Sequence, residues 1–231
     1  MNPHNLHNAK VYAENSAAAA NFLATSQVVQ SALRHWIEKF VPSNPIRILE
    51  LGSSSRLDRW QIIARQTTRT YDVVLSDFTS SALPTDLPTS DQMKIRTIKL
   101  DLLTDTFPHY PFNLVLATYV FDAIWFPQDQ YMNHVHYPGG LIAKVQEAFS
   151  SCLDRTGVFI SIDRTSTKFV PEYELSGPAR FKTENYDLAK QSLTSHGFHV
   201  DVLNLNHFLE LAGTRLPLDL SDHSVLIVTN N

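Results

Sequence analysis

A single cysteine, Cys152, stands in the 231 residues. That excludes an intrachain disulfide framework and a cysteine-based zinc cluster, and a reducing cytoplasm is the expected setting. Cys152 falls on the apolar face of an expected helix, where it reads as a core thiol. Basic residues are few and scattered. Lys and Arg number 19 against 23 Asp and Glu, for a net charge of −4. Without a Lys/Arg-dense run the chain lacks the electrostatic footprint of a nucleic-acid binder. Long hydrophobic runs are also missing. The apolar stretch near Ala17–Ala24 is too short to span a bilayer, so no membrane role is expected. The opening "MNPHNLHNAK" lacks the charged-then-apolar layout of a signal peptide. Glycine is scarce, at seven residues, so each position is informative.

The apolar fraction of 43% and charged fraction of 18% are those of an ordinary soluble globular protein. The length suits one large α/β domain. Residues 1–15 read as a flexible N-terminal segment and residues 16–231 as one domain. Helical character begins near Ser16. Phe22, Val29, Leu33, Trp36 and Phe40 mark one helix face, which Pro42 and Pro45 end. Short apolar strands are expected at Arg47–Leu51, Tyr71–Ser76, Lys94–Leu100, Phe112–Thr118, Val158–Ile162, Phe198–Leu205 and Ser224–Thr229. Helices fall at Leu57–Arg65, Gly139–Leu153 and Asn185–His196, the last closed by Gly197. Ser55 and Asp58 have capping-box spacing at the start of the second helix. Arg155-Thr156-Gly157 reads as a turn, and "FLELAG" supplies one helical turn between the last two strands. Strands alternating with helices predict a doubly wound, seven-stranded, mostly parallel sheet, its last strand antiparallel.

Three acidic residues close successive strands. The first strand ends Glu50-Leu51-Gly52-Ser53-Ser54-Ser55-Arg56, the second Leu75-Ser76-Asp77-Phe78, the third Lys99-Leu100-Asp101-Leu102. Singly, each acid reads as a turn or cap residue. Together they occupy the sheet edge where open α/β folds bind ligands. The fourth strand ends Thr118-Tyr119 and continues "VFDAIWF", an apolar and aromatic stretch suited to a pocket wall. Asp163, after the fifth strand, reads as a cap or turn. His134 and His136 form a His-x-His pair. They are weak candidates for a general base, and with no third ligand placed by the sequence no metal site is expected.

This order of elements and acids resembles the S-adenosylmethionine-dependent methyltransferases with a Rossmann-like seven-stranded sheet, over roughly residues 16–231. The resemblance implies S-adenosylmethionine as cofactor. Glu50 would orient the loop or reach toward the cofactor's ammonium end, and Gly52 would let the backbone pass close to its methionine part. Ser54 and Arg56 stand where the family has further glycines, and Ser53 or Ser54 can bond the methionine carboxylate. Asp77 would accept hydrogen bonds from both ribose hydroxyls. Phe78 would pack beside the adenine, with Asp101 reading its amino group and Leu102 stacking on the ring. Tyr119 stands where the family places backbone near the transferring methyl. In the family Tyr12 would fold over the cofactor, and residues 164–184, with Phe169, Tyr173, Arg180 and Phe181, would cover the acceptor.

The (Asp/Asn)-Pro-Pro-Tyr motif that the family uses for planar nitrogens is absent after the fourth strand. A small-molecule acceptor is therefore expected and no nucleic acid. Two alternatives stay open. The glycine-poor turn fits a non-catalytic relative acting as a binding or partner module. A nicotinamide dehydrogenase also uses an acid after its second strand, but G-x-G-x-x-G is missing here.

Overall fold

A computed structural model describes residues 23–53, 57–88, 90–121, 131–132, 135–136, 139–165, 183–216, 220 and 223–230. Several sequence expectations fall elsewhere. Residues 1–15, Tyr12, Phe22, Ser54, Ser55, Arg56, Asp122, His134 and residues 166–182 lie outside the described residues.

Helix α1, Gln27–Phe40, starts where the Ser26 side chain accepts from the Val29 N–H at 3.4 Å. Its buried face is Val29, Ala32, Leu33, Trp36 and Ile37. Trp36 stacks on Phe40 and on Phe208, at centroid distances of 5.5 and 5.3 Å. Its indole N–H donates to the Phe208 carbonyl at 3.1 Å. Val41, ahead of Pro42, is extended and closes the helix, as the residue before a proline prefers.

Strand β1 (Ile46–Leu51) leads to α2 (Asp58–Gln66), β2 (Tyr71–Asp77), β3 (Met93–Lys99) and β4 (Phe112–Thr118). A ribbon of two-residue strands follows, β5 (Tyr131–Met132) and β6 (Val135–His136), which places the backbone of His136. Then come α3 (Gly139–Ser151), β7 (Leu153–Arg164), α4 (Thr183–Ser195), β8 (Phe198–Asn204), α5 (Leu205–Leu211) and β9 (His223–Asn230). The sheet has seven strands in the order β3-β2-β1-β4-β7-β9-β8. Six run in the same direction, and β9 lies antiparallel between β7 and β8. Both faces are covered, so the central strands read as near-continuous apolar runs. One face packs Ile48, Val73, Leu114, Leu116 and Ile160 against α1, α2 and α5. The other packs Leu49, Val74, Val115, Ala117 and Phe159 against α3 and α4.

Helix α2 begins at Asp58, with Leu57 at its N-cap and no side-chain cap bond, while Ser55 of the expected capping box lies outside the described residues. Leu57 packs against the core, so apolar contact sets where the helix begins. Two expectations change. The turn at Arg155-Thr156-Gly157 lies inside β7, whose pairing with β4 shifts register between Phe112 and Leu114. The Asp154 carboxylate accepts the Thr156 N–H at 3.1 Å, and a side chain at Gly157 would meet the Asp154 carbonyl at 2.9 Å. The bulge thus needs its glycine. "FLELAG" lies mainly in α5, with Leu205, Phe208 and Leu209 buried, instead of giving a lone turn.

Cys152 is buried just after α3, and burial, then the charge of Glu147, pushes its thiol from 9.0 up to about 12. Tyr71 is raised likewise, by burial first and Glu38 second. An unfolded thiol ionises near pH ~8.5. The stability these groups contribute is therefore intact below that pH and is lost as pH rises toward 12. Urea unfolding at pH 7.5 and pH 10.5 should show a clear loss for the wild type and a smaller one for Cys152→Ala. Equal losses would refute this assignment for the thiol.

Candidate functional site

Chain order runs outward from β1 to β2 and β3 on one side, and from β4 to β7 on the other. The sheet therefore reverses direction between β1 and β4, which opens a crevice beyond their carboxyl ends. Every sequence-predicted acid lies along that edge.

Glu50, on β1, is buried. One carboxylate oxygen accepts from Arg59 Nη1 at 2.5 Å, and the other accepts from the Trp60 indole N–H. Both donors sit in the first turn of α2, so the carboxylate fixes the helix that follows the glycine turn. Of the two roles the sequence offered Glu50, orienting the loop is the one these contacts serve. Arg59 is itself buried, and its Nε has no hydrogen-bond partner. Its charge therefore relies on Glu50.

Gly52 has φ of +60°, the left-handed region that glycine enters without cost. A Cβ there would also lie 2.9 Å from Val120 Cγ2. Ser53 is buried, and both its N–H (2.9 Å) and its hydroxyl (3.3 Å) donate to the Ser76 carbonyl. The Ser76 hydroxyl donates in turn to the Glu50 carbonyl at 2.9 Å. The ends of β1 and β2 are thus stitched together. The Ser53 hydroxyl, given to a ligand carboxylate by the sequence, serves the turn itself.

Asp77 ends β2, buried, with the Thr79 N–H at 3.4 Å from Oδ1. Half-buried Phe78 follows it. Asp101 forms a local turn after β3. Its Oδ1 accepts from the Leu103 N–H at 3.0 Å, and its own N–H donates to Asp105 Oδ2 at 2.8 Å. Leu102 is buried among Leu100, Phe107 and their neighbours. Between Ser80–Ala82 and the end of β3 opens a groove of about 370 Å³, lined by Ser80, Leu83, Thr85, Leu87, Thr97 and Lys99.

The other side of the crevice holds residues that the sequence underrated. Tyr119 leaves β4 with φ of 55°. A left-handed bulky residue carries strain on the order of 1–3 kcal/mol and persists where its surroundings hold it. Its hydroxyl and His223 Nε2 are hydrogen-bonded at 2.5 Å, and both residues are buried. Asp163 lies within β7, wholly buried, and is no cap or turn. Its Oδ1 accepts the Phe121 N–H at 3.1 Å, and its Oδ2 accepts the Ser161 and Tyr186 hydroxyls, each at 2.5 Å. A signal for Asp163 was present, since it is a fourth acid at the end of an apolar run. For His223 there was none. Among the described residues no group of three His, Cys, Asp or Glu is placed to hold a metal ion.

No family model matches the sequence, and no curated protein matches it. Solved structures do. The chain is similar to the plantazolicin methyltransferase BpumL in complex with a triazolic desmethylPZN analog and SAH, at 11% identity and TM-score 0.66, covering 99% of this chain and 97% of that one. It is also similar to the methyltransferase domain of bacterial CtHen1-C, at 9% identity and TM-score 0.58, covering 89% and 98%. A TehB-like SAM-dependent methyltransferase from Corynebacterium glutamicum matches at 14% identity and TM-score 0.51, covering 94% of each chain. The fold is therefore the Rossmann-like methyltransferase fold. The dehydrogenase alternative fits it poorly, because the strand order of dinucleotide-binding sheets lacks the antiparallel strand inserted between β7 and β8.

Glu50→Gln strands the buried Arg59 charge. It should destabilise the protein by about 3–5 kcal/mol, lowering Tm by roughly 6–20 °C for a chain of this size. Adding Arg59→Met removes the stranded charge and should recover a large part of the loss. Thermal unfolding of both variants checks this, and additive losses would contradict it.

Proposed function

We propose that this chain transfers the methyl group of S-adenosylmethionine to a small-molecule acceptor. The observation that carries the reading is the convergence at one crevice of a left-handed glycine turn and acids closing three neighbouring strands, Glu50, Asp77 and Asp101. Gly52 turns the backbone in the left-handed region at the sheet's reversal point, where bare backbone would lie beside a ligand's methionine part; the place of its absent Cβ is taken by Val120. Asp77 would hold the two ribose hydroxyls, with Phe78, Leu102 and Asp101 around the adenine. The bound cofactor would supply an electrophilic methyl on a sulfonium.

The chain's own task is then alignment and exclusion of water, which such a substitution gains from most. A base is required only where the acceptor arrives protonated. The Tyr119 turn and the apolar residues after it suit one wall of the acceptor space. The missing (Asp/Asn)-Pro-Pro-Tyr motif and the acidic balance support a small acceptor over nucleic acid. BpumL was crystallised with desmethylPZN analogs, and a moderately apolar acceptor is consistent with that likeness. Among the described residues no helix is long and apolar enough to cross a membrane. The single buried thiol suits a reducing, cytoplasmic setting.

Titration calorimetry with S-adenosylmethionine tests the reading. The wild type should bind. Asp77→Ala should weaken binding by about 10–100-fold, the cost of losing hydrogen bonds to a charged acceptor, and Ser54→Gly should weaken it less. No heat at high ligand concentration would instead favour a partner module without cofactor. Equal or reversed effects of the two variants would count against the ribose role of Asp77.

A further inference from the structure

Residues 119–121 leave β4 under control from two directions. The Tyr119 N–H donates to the Ile162 carbonyl at 2.8 Å, and the Phe121 N–H is held by Asp163. Neither contact forces a tyrosine into the left-handed region. Among the described residues its hydroxyl is hydrogen-bonded to His223, which opens β9, 104 residues away in sequence. The two rings meet edge to face, with centroids 5.6 Å apart at 86°. The backbone turn at Tyr119 swings Val120 over the glycine turn, where its Cγ2 lies 2.9 Å from the place of a Gly52 Cβ. Val120 thus packs on Gly52, and the backbone of Tyr119 decides where Val120 sits.

We infer that His223 is a positioning residue for the Gly52 turn, acting through Tyr119 and Val120. It does so for the end of a ligand seated against that turn and not for the end held by Asp77. With the hydrogen bond gone, Tyr119 can relax to the ordinary negative φ, Val120 shifts off Gly52, and the turn loses the neighbour that fixes it. The inference rests on the cofactor reading above for the identity of the ligand.

Two probes separate the two halves of the crevice. S-adenosylhomocysteine reaches both the Asp77 end and the Gly52 turn, whereas adenosine reaches the Asp77 end alone. Calorimetry should show His223→Leu weakening S-adenosylhomocysteine binding by about tenfold while adenosine affinity stays within about twofold. His223→Gln, whose side-chain amide can take the place of Nε2, should recover most of the loss. Tyr119→Phe, which removes the hydroxyl and keeps the ring, should weaken S-adenosylhomocysteine binding as His223→Leu does. If His223→Leu does not fold, Tyr119→Phe decides. Equal weakening of both probes would reduce His223 to a structural role and overturn the inference, as would unchanged S-adenosylhomocysteine affinity. A wild type that binds neither probe would refute the cofactor reading itself, a result distinct from wild-type binding that the variants leave untouched.

Discussion

The crevice depends first on the buried contact of Glu50 with Arg59 and Trp60. Removing a carboxylate and a guanidinium from water is expensive, and attraction offsets the cost only where geometry and further hydrogen bonds are good. Here the carboxylate has a donor on each oxygen, from adjacent residues in the first turn of the helix. The result is directional. A strand end and a helix start are locked together. With the strand-end contacts among Ser53, Ser76 and Glu50, this sets the glycine turn from below.

The opposite wall is built differently. Beyond β4 the polar groups face one another instead of the crevice. Asp163 gathers two hydroxyls and one backbone N–H, the Thr165 and Ser224 hydroxyls pair at 2.7 Å, and Tyr119 pairs with His223. A buried polar network of this kind is stiff when satisfied and costly when broken. It lets the chain leave β4 through a strained tyrosine without the strain spreading. One wall is therefore held by an ion pair reaching forward into a helix, and the other by hydrogen bonds reaching sideways into β7 and β9. The two meet at the Gly52–Val120 contact.

The sheet, its strand ends and the acids at Glu50, Asp77 and Asp101 were legible in the sequence because period and burial determine them locally. Apolar runs of five to seven residues between helical segments leave little freedom, and an acid at such a run's end is visible as a break in pattern. What stayed hidden was set by contacts between distant segments. The turn at Arg155–Gly157 looks identical whether it ends a strand or bulges one, and only pairing with β4 decides. Asp163 was visible as an acid but not as a buried one, because its partners Ser161 and Tyr186 are ordinary residues until the fold brings them together. His223 meets Tyr119 across 104 residues, and no local pattern carries that information.

The first two residues of the turn after β1, Gly52 and Ser53, follow from the same physics. A glycine is needed where φ must be positive or where a side chain would collide, and Gly52 meets both conditions. Ser53 meets neither. It needs no left-handed backbone, and its hydroxyl and N–H both find the Ser76 carbonyl. Serine there lowers the freedom of the unfolded chain, which glycine would raise, and adds a bond that glycine cannot make. The further glycines of the family fall on Ser54 and Arg56, so the serine at Ser53 replaces none of them. It exchanges adaptability for rigidity in a turn already fixed by Glu50 on one side and Val120 on the other.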